Sequence, residues 1–112
     1  MRPRALAYYS VPGHVPEGQV HRWRAELRTF ALQEGLEIAA VYVDRVGTGG
    51  AGFGALIEAL RRRQVRFVVV PSLDHLTRVV GDDGRLAKSV LEHRFGVRVC
   101  SVAAAGRRAG RA

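Results

Sequence analysis

The chain has 112 residues, 47% of them hydrophobic, which is the length of one domain and enough apolar material for a core without metal or disulfide staples. Its one cysteine, Cys100, excludes an internal disulfide, and no apolar run approaches the roughly 18 residues of a membrane span. The net charge of +8, with Lys88 the single lysine beside 17 arginines, draws polyanions, chiefly nucleic acid, although arginine use with abundant Ala, Gly and Val also fits coding bias in a GC-rich genome.

The apolar stretch after Arg2 and Arg4 ends at Ser10 and Pro12, too short for a signal peptide, so the protein is read as cytoplasmic. Ala5–Val11 is predicted as the first strand, stopped by Pro12-Gly13. A helix is predicted over Gln19–Glu34. Val20, Trp23, Leu27, Phe30 and Ala31 recur at three- and four-residue intervals and form its apolar face, and Gly35 stands where a C-cap glycine belongs. Glu37–Val43 is the second strand, its continuous apolar centre suggesting burial on both faces.

A glycine-rich loop over Arg45–Gly52 leads to a second helix marked by Phe53, Leu56, Ile57 and Leu60 and ending in Arg61-Arg62-Arg63, where positive charge is favourable. Arg66–Pro71 is the third strand and Ser72–Arg78 a polar loop. Asp82 or Asp83 can cap a third helix carrying Leu86, Ala87, Val90 and Leu91, which Gly96 ends. Val97–Val102 is the fourth strand, with Cys100 read as a small core residue rather than a nucleophile. Residues 103–112, with Arg107, Arg108 and Arg111, form a basic tail expected to be disordered.

Alternating strands and helices of this size imply βαβ units: an α/β fold of three layers, with helices on both faces of a mainly parallel four-stranded sheet. Ligand sites in such sheets lie beyond the carboxyl ends of the strands. The loops after Val11, Val43 and Pro71 leave those ends with polar residues the core does not need. His14, His21 and His93 lack metal-ligand spacing and are read as surface residues, and no metal or cofactor is expected. Gly47-Thr48-Gly49-Gly50-Ala51-Gly52 fits G-x-G-x-x-G, with Asp74 lying 22 residues beyond it. That is the pattern of a nucleotide-binding module, but its first glycine comes too late after the strand for the tight turn such a site needs, and no second mononucleotide half follows.

Leu73-Asp74-His75-Leu76-Thr77-Arg78 resembles the segment Leu-Asp-Arg-Leu-x-Arg that follows the third strand in serine recombinases, the resolvase/invertase family, with His75 in place of the first arginine. Tyr8-Tyr9-Ser10-Val11 resembles that family's first strand, Tyr-x-Arg-Val-Ser. Leu27–Gly35 and Val41–Asp44 resemble its first helix, glycine stop and second strand. Gly47–Leu60 resembles its glycine loop and second helix, and Phe95-Gly96-Val97-Arg98 the entry to the next strand. The order of these segments is the family's.

The resemblance implies a catalytic-domain fold over residues 1–102 with sheet order 2-1-3-4, and the apolar periodicity of the first helix puts Trp23 and Phe30 in the core beneath it. It also implies the family's chemistry. A serine hydroxyl attacks a DNA phosphodiester and forms a phosphoseryl link, while arginines clamp the phosphate and stabilise developing charge. The inherited positions are Ser10, Arg45, Asp74, His75 and Arg78, and Ser10, Arg45, Asp74 and Arg78 are expected to cluster at the carboxyl edge of the sheet. Asp74 also suits a simple turn cap.

The chain departs from the family pattern in three ways. Aligning Tyr8 with the family's tyrosine puts Ser10 at the arginine's position and Pro12 at the serine's; aligning Ser10 with the serine puts Tyr8 at the arginine's. Either way the first-strand arginine is gone. His75 lacks the planar fork of the arginine it replaces. The sequence stops soon after the fourth strand, so the long subunit-pairing helix and the DNA-binding domain of the family are expected to be absent. The expectation is a resolvase-like domain with impaired or no strand cleavage, a DNA-associated or interaction module. Its partners are DNA, held weakly by charge, and a full-length recombinase or a second copy of itself. The alternatives are an active minimal enzyme using Ser10, Asp74 and Arg78, and a nucleotide-binding module using Gly47–Gly52.

Overall fold

The computed structural model describes residues 2–45, 50–62, 65–76 and 84–103. In chain order the elements are β1 (Arg4–Val11), α1 (Glu17–Glu34), β2 (Glu37–Arg45), α2 (Ala51–Arg62), β3 (Phe67–Val70), α3 (Gly84–Phe95) and β4 (Arg98–Ser101). All strand pairs are parallel, in the order β2-β1-β3-β4, as expected. The expected caps Asp82 and Asp83, Arg63 of the arginine run and tail residues 104–112 lie outside the described residues. Ala103, the first residue of the expected tail, donates its N–H to the Pro71 carbonyl.

Alternation along β1 divides the core in two. Leu6 and Tyr8 face one side, where Leu56 and Leu60 of α2, Leu91 of α3 and Leu76 close over them with Val68 and Val70. Ala5, Ala7, Tyr9 and Val11 face the other, packed with Val69 against Val20, Leu27, Phe30 and Ala31 of α1. One helix on one face and two on the other give the three layers. β1 and β3 take the centre because their apolar runs can be covered on both sides.

β2 does not behave as its apolar centre suggested. It is an edge strand whose exposure alternates, with Val41 44% exposed. Only one neighbour pairs with it, and the register slips between Ala5 and Leu6, leaving Ala39 as an extra residue on the edge. At the opposite edge, the Val99 N–H donates to Glu92 of α3 at 2.9 Å.

α1 begins two residues earlier than predicted, at Glu17 behind Pro16, whose carbonyl accepts from Gln19 N–H. It ends as predicted: Gly35 takes the left-handed conformation (φ 68°), and Leu36 N–H returns to the Ala31 carbonyl at 2.8 Å. Phe30 is buried as expected. Trp23 is only partly so, because it sits at the carboxyl edge against Tyr9 and His75 rather than under the middle of the helix.

Candidate functional site

The carboxyl ends of β1 and β2 run side by side, pairing Ser10 with Asp44 and Val11 with Arg45. Two clusters of polar contacts are built there.

The first joins Ser10 to His75. Ser10, near the end of β1, is buried, and so is His75, in the helical turn after β3 (5% and 1% exposed). The Ser10 N–H donates to His75 Nδ1 at 3.1 Å, and the Ser10 hydroxyl donates to the His75 carbonyl at 3.1 Å. Because Nδ1 accepts, the neutral ring carries its proton on Nε2. Trp23 closes over the ring edge-on, with centroids 4.5 Å apart. The imidazole lone pair is therefore spent on a main-chain amide and cannot take the serine's proton in this arrangement.

The second cluster centres on Asp44, which the sequence had marked only as the end of a strand. Its buried carboxylate accepts from Tyr8 OH at 2.8 Å and from the N–H groups of Gly52 and Phe53 at 2.7 and 2.8 Å. Asp44 thus caps α2 from β2, placing negative charge at the positive end of the helix. Phe53 meets the Tyr8 ring edge-on at 5.6 Å. Gly52 is required by the approach: a Cβ there would stand 2.3 Å from the Val43 carbonyl oxygen. The signal in the sequence was an aspartate at a strand end followed by a glycine at the start of a helix. The nucleotide-like pattern of the same glycines masks it.

The remaining inherited positions are placed as follows. Arg45 is the last residue of β2, exposed, one register step beyond the Ser10–Asp44 pair. Asp74 is exposed and accepts a hydrogen bond from the Ser72 hydroxyl, while the turn itself is closed by Leu76 N–H to the Leu73 carbonyl at 3.0 Å. Arg78 lies outside the described residues. The fold therefore puts Ser10 and His75 in direct contact, with Arg45 and Asp74 on the same edge of the sheet.

Cys100, on β4 beside Val69, packs at the margin of the α1-side core. Burial pushes its thiol above the ordinary value, with Arg98 opposing. It is a poor nucleophile near neutral pH. His14, His21 and His93 are exposed, as expected. Among the described residues no group of three or more His, Cys, Asp or Glu is placed to hold a metal ion, and no helix is long and apolar enough to cross a membrane.

A family model described as the resolvase N-terminal domain matches residues 13–111. The chain belongs to that family. The matched span begins after β1, so it leaves out Ser10 and includes His75.

Solved structures agree on the fold. The C-terminal catalytic domain of ISC1926 TnpA, an IS607-like serine recombinase, superposes with a TM-score of 0.73 at 24% identity, over 88% of this chain and 70% of that one. A resolvase family site-specific recombinase from Streptococcus pneumoniae gives 0.74 at 20% identity, over 90% and 72%. The N-terminal catalytic domain of TP901-1 integrase gives 0.68 at 19%, over 88% and 76%. A comparison with curated proteins finds no match.

Proposed function

We propose that this resolvase domain is a cytoplasmic, DNA-associated module related to DNA recombination, impaired in strand cleavage, whose further partner is a full-length recombinase or a second copy of itself. The observation that carries the reading is the Ser10–His75 contact. A serine that attacks a phosphodiester needs its hydroxyl directed at the phosphate and its proton passed to a base, with cations around the phosphate. Here the hydroxyl is buried and donates to a carbonyl.

Two cationic positions of the family pattern are also altered. The first-strand arginine is replaced by Tyr8 or Ser10, depending on the alignment, and His75 holds a main-chain amide where the family has a guanidinium. Each lost donor of this kind costs about 10² to 10³ in rate. Association with DNA rests on the net charge of +8.

The active alternative would need Ser10 to leave the His75 carbonyl and turn toward phosphate beside Asp74 and Arg78. A nicked duplex that traps phosphoseryl intermediates separates the two readings. The expected result is no covalent adduct; an adduct that disappears in Ser10→Ala would establish the active enzyme. The nucleotide reading of Gly47–Gly52 is disfavoured by Asp44. Its carboxylate already takes the Gly52 and Phe53 N–H groups, where a pyrophosphate would need them, and it would repel one.

A further inference from the structure

A groove of about 700 Å³ opens between α1 and the outer edge of β2. It lies toward the amino ends of the strands, away from Ser10 and His75, since its sheet side is formed by Leu36, Glu37, Ile38 and Val41. Arg24 and Arg28 line it from α1, Arg2 from the segment before β1, and Glu37 is the acid among the lining residues. None of these three arginines makes an ion pair among the described residues, unlike Arg61 and Arg62, which both reach Glu58.

Arg24 and Arg28 are one turn apart on the same helix face, a like-charge pairing that costs a helix a few tenths of a kcal/mol. Four residues of helix rise about 6 Å, so the two arginines leave the helix close together on one side.

Resting on the DNA-associated reading above, we infer that this groove is a phosphate-backbone site for nucleic acid, with Arg2, Arg24 and Arg28 as the cations that track one strand. The site is separate from the inherited catalytic edge. It reads no sequence, because exposed arginines along a helix flank offer charge and no side chains placed against base edges.

The test is fluorescence anisotropy of the full chain with a labelled mixed-sequence duplex across a salt series. Wild type is compared with Arg24→Ala/Arg28→Ala, with Arg2→Ala, and with an Arg61→Ala/Arg62→Ala control on α2; circular dichroism checks each fold. Each phosphate contact contributes about 0.9 to the slope of log affinity against log salt. The groove double variant is expected to lose about 2 units of slope, Arg2→Ala about 1, and the control none. A wild type that binds DNA while all variants keep its slope, or a control that loses as much as the groove variant, overturns the groove and leaves DNA association standing. A wild type that does not bind DNA overturns both. Labelled polyglutamate that binds more tightly than the duplex at equal charge concentration, with the same loss in the groove double variant, would make the groove a site for acidic peptide and overturn the nucleic-acid assignment.

Discussion

The main-chain N–H of Ser10 donates to Nδ1 of His75 across 65 positions of sequence, tying the end of β1 to the turn after β3. At this edge the histidine is a structural acceptor. The serine hydroxyl beside it points at the same residue's carbonyl.

His75→Ala should leave the Ser10 N–H without its acceptor and a void beneath Trp23. The expected loss is about 2–4 kcal/mol of stability, read by urea denaturation. His75→Asn, which keeps an acceptor oxygen, should lose less. His75→Arg restores the family's residue but supplies donors only, so it should destabilise the fold and yield no covalent DNA adduct. Wild-type stability in His75→Arg would break the assignment of Nδ1 as acceptor.

Asp44→Ala should cost about 2–4 kcal/mol, because two helix N–H groups and a buried phenol lose their shared acceptor at once. Tyr8→Phe removes one of those three bonds and should cost about 1 kcal/mol. In a double-mutant cycle, Tyr8→Phe should cost almost nothing once Asp44 is Ala. Additive losses would mean that the phenol is held by something else.

Gly52→Ala should destabilise by about 1–3 kcal/mol, although alanine is the better helix former, since its Cβ would meet the Val43 main chain. Gly54→Ala, two residues further along α2 with open space at its Cβ, is the internal control and should be neutral or stabilising. Equal thermal midpoints for the two variants would show that the contact between α2 and β2 relaxes freely.

Cys100 sets an alkaline limit. Its folded thiol titrates above the ordinary 9.0, held up first by burial. The neutral thiol therefore favours the folded state fully below pH 9. As pH rises past 9 the unfolded chain loses its proton first, and that contribution falls until the folded thiol also ionises. The stability difference between wild type and Cys100→Ala should be flat from pH 6 to 8 and shrink above pH 9. A difference that grows with pH would mean that the thiolate is the favoured form, and thiol labelling at pH 8 would then be fast rather than slow.

What the sequence determined by itself was local: where the chain alternates, where it turns, and which runs are apolar. Glycines at 35 and 96 end helices because a left-handed residue is needed there, and that requirement shows in the residue type. The sheet order came from the resemblance to serine recombinases, a matter of segment order that a single chain can display.

The tertiary structure decided everything that depends on residues far apart. β2 reads as apolar as β1, and only its place at the sheet edge leaves Val41 half uncovered. Asp44 becomes a helix cap because β2 delivers it to the start of α2 at hydrogen-bonding distance, which an aspartate at a strand end allows but does not fix. By sequence, His75 is an inherited site position where the family pattern has an arginine. It is buried beneath Trp23 with its lone pair on Ser10, because parallel pairing of β1 and β3 brings their carboxyl ends to one place. Residue type states what a side chain can donate or accept; only the assembled sheet states which partner is within about 3 Å.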